Sequence, residues 1–220
     1  MLRKLITRIN KWILSLEGKQ LELTIEKSDI YREADIDQMI QLWQLYQKSG
    51  KSKYDQFMNA CIFSSIVGRD IQFLTKSYIL TKNKNEKNLY GRLLSMTIIE
   101  FLEDINKLLG NKLRKELIRN DLSEYVSELN NINKEFSRIK KDNNKPLRRI
   151  RNNAAAHKTL DSKALLDFTS KLEIEDLNGI SNSVSRTNKK FVELSIKLIN
   201  RFKDDSQREL DKLKEIKNAI

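Results

Sequence analysis

A scarcity of helix-breaking residues is the sequence feature that most constrains how this chain can fold. Its 220 residues include one proline and six glycines. A turn-rich sheet protein needs more of both residue types, so their scarcity favours long helices. Hydrophobic residues make up 39% of the chain and charged residues 33%, a balance typical of a folded domain with a highly charged surface. The sequence therefore predicts an all-α fold.

The charge balance indicates the kind of partner to expect. Lys plus Arg is 42 and Asp plus Glu is 30, which gives a formal net charge of 42 − 30 = +12. A surplus of this size favours an anionic partner, either nucleic acid or the headgroups of a membrane. Charge alone does not choose between these two partners.

Cysteine content and hydropathy predict a cytoplasmic protein. Cys61 is the only cysteine, so neither an intrachain disulfide nor a cysteine-rich zinc site can form, and a reducing compartment fits. Arg8 and Lys11 interrupt the apolar residues near the start of the chain, where a signal peptide would need an unbroken apolar run. No apolar run is long enough to span a membrane.

Apolar residues at helical spacing predict most elements of the first half. The polar run 82–88 predicts a loop, and residues 21–25 alternate like a short strand. Gly68, inside a long apolar helix, predicts either a bend or a helix crossing. The predicted helices cover residues 2–16, 36–48, 54–81, 89–109 and 112–118.

The predicted helix over residues 2–16 has two interpretations. Its basic and apolar faces are typical of a helix that lies on anionic lipid, which would make the protein a membrane-associated scaffold. The same pattern is ordinary for a helix that docks on a protein core or on a partner. We favour docking, so we expect no peripheral membrane contact through this helix.

The second half predicts further helices separated by polar turns. A helix begins at Ser123, and residues 142–145 predict a turn. Pro146 suits the first position of the next helix, where its missing N–H costs nothing, and that helix should end near His157 or Lys158. Two more helices are predicted over residues 162–171 and from about Asn188 to Lys217, the latter with an earlier start left open. We assign residues 1–50 to an N-terminal helical extension and residues 51–220 to a helical bundle, forming one continuous domain.

The segment of residues 151–157 contains the most informative chemistry, and we call it the Arg/His segment. His157 is the only histidine, so any acid–base chemistry by histidine near neutral pH must use it. Arg151 can bind phosphate through two parallel hydrogen bonds. Asn152 and Asn153 add amides, and three alanines before His157 leave room for a substrate to approach closely.

Helical geometry separates the two central residues of this segment. At about 100° per residue, an offset of six positions from Arg151 to His157 places them roughly 120° apart on an ideal helix. Asn153 is the better same-face neighbour of His157. Arg151 must therefore reach around the helix, or the helix must loosen, or the two residues must meet across a dimer.

A strongly basic stretch leads into the Arg/His segment and continues just beyond it. Such a stretch can follow a phosphate backbone, although charge runs are usually solvated turns. Its cationic residues are predicted to bind RNA: Arg138, Lys140, Lys141, Lys145, Arg148, Arg149 and Lys158. Acidic residues on the predicted helix over 89–109 (Glu100, Glu103 and Asp104) either line a cleft beside this stretch or pair with arginines. No metal site and no cofactor are predicted.

The Arg/His segment resembles the signature of the HEPN superfamily (higher eukaryotes and prokaryotes nucleotide-binding). That signature is an Arg, commonly followed by Asn or another polar residue, and a His after four to six intervening residues; here the gap is five. Residues 147–150 and 158–161, and the helix over 92–104, are similar to bacterial members. The resemblance covers roughly residues 54–200 in architecture, but only about ten residues in motif.

The resemblance implies a helical bundle, here with additional N-terminal and long C-terminal helices, that pairs as a homodimer. It also implies two Arg/His sets facing each other, and often a metal-independent endoribonuclease in a toxin–antitoxin or phage-defence system, with a possible antitoxin or other protein partner. His157 would then act as general acid or base, Arg151 would stabilise the phosphate and Asn152 would orient the site. Other members lack catalysis, so a module that binds RNA, nucleotide or protein remains the alternative.

Overall fold

The computed structural model describes residues 53–150 and 177–218, the latter with side chains up to Phe202, and isolated positions between residues 36 and 48. Five α-helices make up this part of the chain, with a 3₁₀ turn at Ser123–Tyr125 and no strand among the described residues. The predicted all-α fold is confirmed. The helices are α1 (Asp55–Leu80), α2 (Lys84–Leu108), α3 (Asn111–Arg119), α4 (Val126–Ile150) and α5 (Leu177–Asn218).

The four long helices form an up-down-up-down bundle. Each of them packs mainly against two neighbours, in the cyclic order α1, α2, α4, α5. Pairs of side-chain contacts fix the directions. Ser137 and Arg148 on α4 meet Asn106 and Glu103 on α2, respectively. Lys190 and Lys197 on α5 meet Glu135 and Glu128 on α4, respectively. Because the residue numbers run in opposite directions within each pair, these neighbouring helices are antiparallel. The short helix α3 bridges α2 and α4 at one end.

A continuous apolar core lies along the bundle axis. Phe101 on α2 is fully buried near its middle, stacked on Phe63 at 5.8 Å and edge-on to Phe136 at 5.5 Å between ring centroids. These three rings join α1, α2 and α4. At one end Phe202 stacks on Tyr54 at 3.8 Å, which joins α5 to the start of α1. Aromatic pairs at these separations contribute beyond the area that they bury.

The contact between α1 and α5 is close because small and polar residues line it. A Cβ added at Gly68 would come within 2.6 Å of Asn188 Nδ2. The Asn188 amide accepts a hydrogen bond from Ser64 Oγ at 2.5 Å and donates to Ser64 O at 3.3 Å. Gly68 therefore marks a helix crossing, which was one of the two alternatives predicted for it.

The predicted loop over residues 82–88 was wrong, because α2 begins at Lys84. The Asn83 side chain accepts hydrogen bonds from the backbone N–H groups of Asn85 at 2.9 Å and Glu86 at 3.4 Å. This is N-terminal capping by the residue type that does it best. The polar run that resembled a loop is thus a cap followed by the first, solvent-exposed turn of a helix.

The predicted turn over residues 142–145 was also wrong, because α4 continues through it with Pro146 inside the helix. Proline removes one backbone donor and crowds the preceding turn. Ile139 and Leu147, eight positions apart and therefore on one helix face, are both buried on either side of it. Their burial in the core outweighs the local preference for a break.

The last helix begins at Leu177, eleven positions before the predicted start at Asn188. Leu177, Ile180 and Val184 are all buried and extend the apolar stripe of α5 towards its N-terminus. The described positions between 36 and 48 are helical as predicted, with Ile36 buried. Residues 2–16, 21–25 and 162–171 lie outside the described residues, so those predictions and the proposed domain boundary stay predictions. None of the described helices is long and apolar enough to cross a membrane.

Candidate nucleic-acid interface

The Arg/His segment is the first part of residues 151–176, which connect α4 to α5. Arg151, Asn152, His157 and Lys158 lie outside the described residues, but the elements on either side of them are described. Ile150 ends α4 and Leu177 begins α5. Because the bundle alternates in direction, these two termini are at the same end as the α1–α2 connection. We call this the segment end of the bundle, and the opposite end, where α1 begins, the closed end.

One side of α4 forms a basic face that leads towards the segment end. At about 100° per residue, its six cations fall within a sector of roughly 100° and span about 22 Å along the helix. All six are exposed. Lys140, which the sequence grouped with them, falls outside this sector and is only partly exposed. The basic face consists of Lys134, Arg138, Lys141, Lys145, Arg148 and Arg149.

An acidic residue of α2 holds one member of the basic face in place. Arg148 forms an ion pair with Glu103 through Nη2 and Oε1, and its Nε donates to Asn144 Oδ1 at 2.8 Å. The predicted pairing of the α2 acids with arginines is thus confirmed for Glu103. Asp104 instead pairs with Lys107 one turn away on its own helix, at 2.8 Å. Arg148 is oriented by α2 yet remains exposed on the basic face.

Neighbouring acids of α4 are paired with lysines of α5 rather than with the basic face. Lys190 Nζ contacts both carboxylate oxygens of Glu135 at 2.6 and 2.8 Å, and Lys197 contacts Glu128 at 2.8 Å. The hydrogen bond from Lys190 lowers the pKa of the Glu135 carboxyl below its ordinary value. These pairs neutralise the α4–α5 side. Among the described residues, no ion pair involves Arg138, Lys141 or Lys145, so their charges can act on a ligand.

A polar cleft opens beside the basic face, between α3 and the first half of α4. Its volume is about 340 Å³, and its lining contains Arg114, Asn130, Asn133, Lys134 and Ser137. Sequence reasoning missed this cleft, because Arg114 and the α4 residues come together only when α3 folds back on the bundle. The one available signal was the repeat of polar residues along α4 at positions 130, 133, 134 and 137.

The chemistry of this surface is that of phosphate and polar-group binding. Exposed arginines and lysines in a row attract phosphates over a distance and bind them through charge-assisted hydrogen bonds. The described residues contain no group of three or more His, Cys, Asp or Glu side chains that could hold a metal ion.

The chain was compared with known families, proteins and folds. No protein-family model, no curated protein and no solved structure matches it. Functional assignment therefore depends on the residues themselves.

Proposed function

We propose that this protein is a HEPN-like, metal-independent endoribonuclease whose active site is completed by a second copy of the chain. The observation that carries the proposal is the basic face of α4, which points along the helix to the residue where the Arg/His segment begins. Four of its exposed cations (Lys141, Lys145, Arg148 and Arg149) lie within the last ten residues of α4. An RNA strand that follows these cations is led to Ile150, the residue directly before the Arg/His segment.

The chemistry proposed is internal transfer at one phosphodiester. The RNA 2′-oxygen bonds to the adjacent phosphorus while the bond to the 5′-oxygen breaks, which leaves a 2′,3′-cyclic phosphate and a free 5′-OH. His157 of one subunit takes the 2′-OH proton and the second subunit's copy protonates the departing 5′-oxygen, since histidine titrates near neutral pH. Arg151 stabilises the charge that develops on the phosphate, and Asn152 orients His157 or the scissile phosphate.

A dimer fits both the number of catalytic groups and the exposed surface of the bundle. One histidine per chain supplies one proton-transfer group, whereas the reaction needs two. At the segment end, Ile79 and Leu89 are each 44% exposed and Leu80 is 37% exposed. These apolar side chains are available for a subunit contact, as are Ile118 and Ile196 elsewhere on the bundle. We place the subunit contact at this end, so that the two Arg/His segments come close together.

The proposal is tested by incubating the purified protein with RNA in EDTA. We expect cleavage to persist and the products to carry cyclic phosphate and 5′-OH ends. His157→Ala should lower the cleavage rate by about 10²–10⁴-fold, which is the usual contribution of general acid–base catalysis. Arg138→Ala on the basic face serves as a control, because it should weaken binding yet leave the rate at saturating RNA unchanged.

Two outcomes would contradict the proposal. Cleavage that is unchanged in His157→Ala would exclude the assigned chemistry. RNA that stays intact but is bound with strongly salt-dependent affinity would favour the non-catalytic binding module instead. Mixed dimers with one wild-type and one His157→Ala subunit test the shared site. A composite site predicts activity well below half that of wild type, whereas two independent sites predict half.

A further inference from the structure

The polar cleft between α3 and α4 contains three buried atoms that lack a partner. Within the described residues, Arg114 Nε, Asn130 Oδ1 and Asn133 Oδ1 make no hydrogen bond. A buried polar atom without a partner costs free energy, and such atoms are rare in folded proteins. All three belong to residues that line the same cleft. Their common location indicates that the cleft is built to bind a polar group.

The other hydrogen bonds of these residues fix which atoms remain available. Asn133 Nδ2 donates to Leu109 O at 3.3 Å, so its Oδ1 is the end of the amide left for a ligand. Arg114 Nη1 donates to Asn111 Oδ1 at 3.1 Å, which holds the guanidinium while Nε stays unused. The Ser137 hydroxyl lies 2.6 Å from Asn106 Oδ1, and so it is already engaged.

The mixture of hydrogen-bond donors and acceptors in the cleft restricts the chemical class of ligand that it can bind. A bare phosphate would suit Arg114 and Lys134, but it would meet two amide oxygens that repel its charge. A metal cation would suit the oxygens but be repelled by the two cations. The cleft therefore fits a neutral group that presents hydrogen-bond acceptors and donors side by side. Nucleobase edges have this character.

We propose that the cleft is a nucleobase subsite that prefers guanine. The Watson–Crick edge of guanine presents two N–H donor groups, N1–H and the 2-amino group, next to the O6 acceptor. The two donors match Asn130 Oδ1 and Asn133 Oδ1, and O6 matches the donors Arg114 Nε and Lys134 Nζ. Adenine, cytosine and uracil each present fewer donors. The cleft volume of about 340 Å³ lies within the range of about 300–1,000 Å³ typical of small-ligand sites.

The location of the cleft connects it to the proposed RNA path. Lys134 belongs both to the cleft and to the basic face, so a strand along α4 passes its rim. The 20 positions from Asn130 to Ile150 span about 30 Å of helix, the length of about nine stacked nucleotides at about 3.4 Å each. Guanine binding in the cleft would thus select which RNA is cut several nucleotides away. This link between guanine binding and cleavage rests on the proposed function.

The test measures binding with 12-nucleotide 2′-O-methyl RNA probes, which cannot be cleaved by the proposed reaction. A single guanine in a uridine background should raise affinity by about tenfold at one position and not at others. Replacing that guanine by inosine, which lacks the 2-amino group, should remove most of the gain. Asn130→Ala should abolish the preference, while the matched control Asn131→Ala, an exposed neighbour on the same helix, should retain it.

The remaining outcomes either support or overturn the proposed guanine subsite. Equal affinity for guanine and uridine probes would overturn the inference, as would an equal loss in Asn131→Ala. If Asn130→Ala unfolds the protein, Lys134→Ala at the exposed rim must weaken the guanine preference instead. Competition by free GMP would identify a free nucleotide as a second source of the base. Because these probes test binding only, a failed cleavage assay leaves the result unaffected, and a failed preference leaves the proposed cleavage standing.

Discussion

The two ends of the bundle are stabilised in different ways. At the closed end, Glu116 on α3 is buried, with 3% of its surface exposed, and accepts hydrogen bonds from the backbone N–H groups of Gln56 and Phe57, each at 2.9 Å. It caps α1, whose own N-cap residue Tyr54 supplies no side-chain bond. At the segment end, apolar side chains and the cations of the basic face are exposed. Within the described residues, the closed end thus contains a buried carboxylate that caps a helix, whereas the segment end presents exposed cations.

We expect the groups that control stability to lie mainly at the closed end, and those of the proposed cleavage to lie towards the segment end. Trp43 Nε1 donates to Asp55 Oδ1 at 2.8 Å, so Trp43 is also tied to the closed end. Contacts there join residues far apart in sequence and should control the free energy of unfolding. At the segment end, exposed residues can change without loss of core packing, which is where binding and catalytic groups are usually found.

The largest effect on stability is expected from Glu116→Ala. The change leaves the N–H groups of Gln56 and Phe57 without an acceptor at a helix N-terminus. We expect the free energy of unfolding to fall by about 2–3 kcal/mol, as measured by urea denaturation. Glu124→Ala is the matched control, because this nearby carboxylate is exposed and its loss should cost less than about 0.5 kcal/mol.

Two results would contradict this difference between the ends of the bundle. A loss of stability in His157→Ala as large as that in Glu116→Ala would mean that the segment end also supports the fold. An unchanged unfolding midpoint in Glu116→Ala would show that water can replace this buried carboxylate.

The two ends also differ in how far sequence alone could describe them. Helix type and the apolar stripes followed from periodicity, because Ile98, Leu102 and Ile105 repeat at helical spacing and are all buried. Glu116 was not recognised as a cap, since its partners Gln56 and Phe57 lie about 60 positions earlier and no local pattern links them. Pro146 suggested a boundary because its effect on the backbone is local, whereas the burial of Leu147 is a tertiary effect. For the candidate site, the basic residues of α4 could be predicted from the local sequence, but the contribution of Arg114 to the cleft could not.

A smaller effect, confined to binding, is expected from the double variant Lys141→Ala and Lys145→Ala. Both lysines are exposed on the basic face, so their loss should leave the free energy of unfolding within about 0.5 kcal/mol of the wild-type value. RNA affinity should fall by about tenfold, or about 1.4 kcal/mol. The slope of log K against log salt should become shallower by about 1.4, because each phosphate of a single strand that a lysine neutralises contributes about 0.7 to that slope.

The control for this variant removes the same charge from other surfaces. Lys112→Ala combined with Lys189→Ala deletes two exposed lysines, from α3 and α5. We expect its salt slope to stay close to that of wild type. Equal losses in the two double variants would mean that net charge, rather than the basic face of α4, drives RNA binding.

The smallest effect is a pH dependence that belongs to the closed end. Burial raises the pKa of the Glu116 carboxyl, only partly opposed by the hydrogen bonds from Gln56 and Phe57. The folded state therefore holds this proton more tightly than the unfolded state does. The resulting contribution to stability is fully present below the unfolded pKa and is lost as pH rises through the folded pKa. Urea denaturation should therefore show the stability of wild type relative to Glu116→Gln declining from about pH 4.5 upwards, because the variant cannot titrate there. A difference that grows with pH would instead mean that the backbone hydrogen bonds dominate and that the carboxylate is favoured in its ionised form.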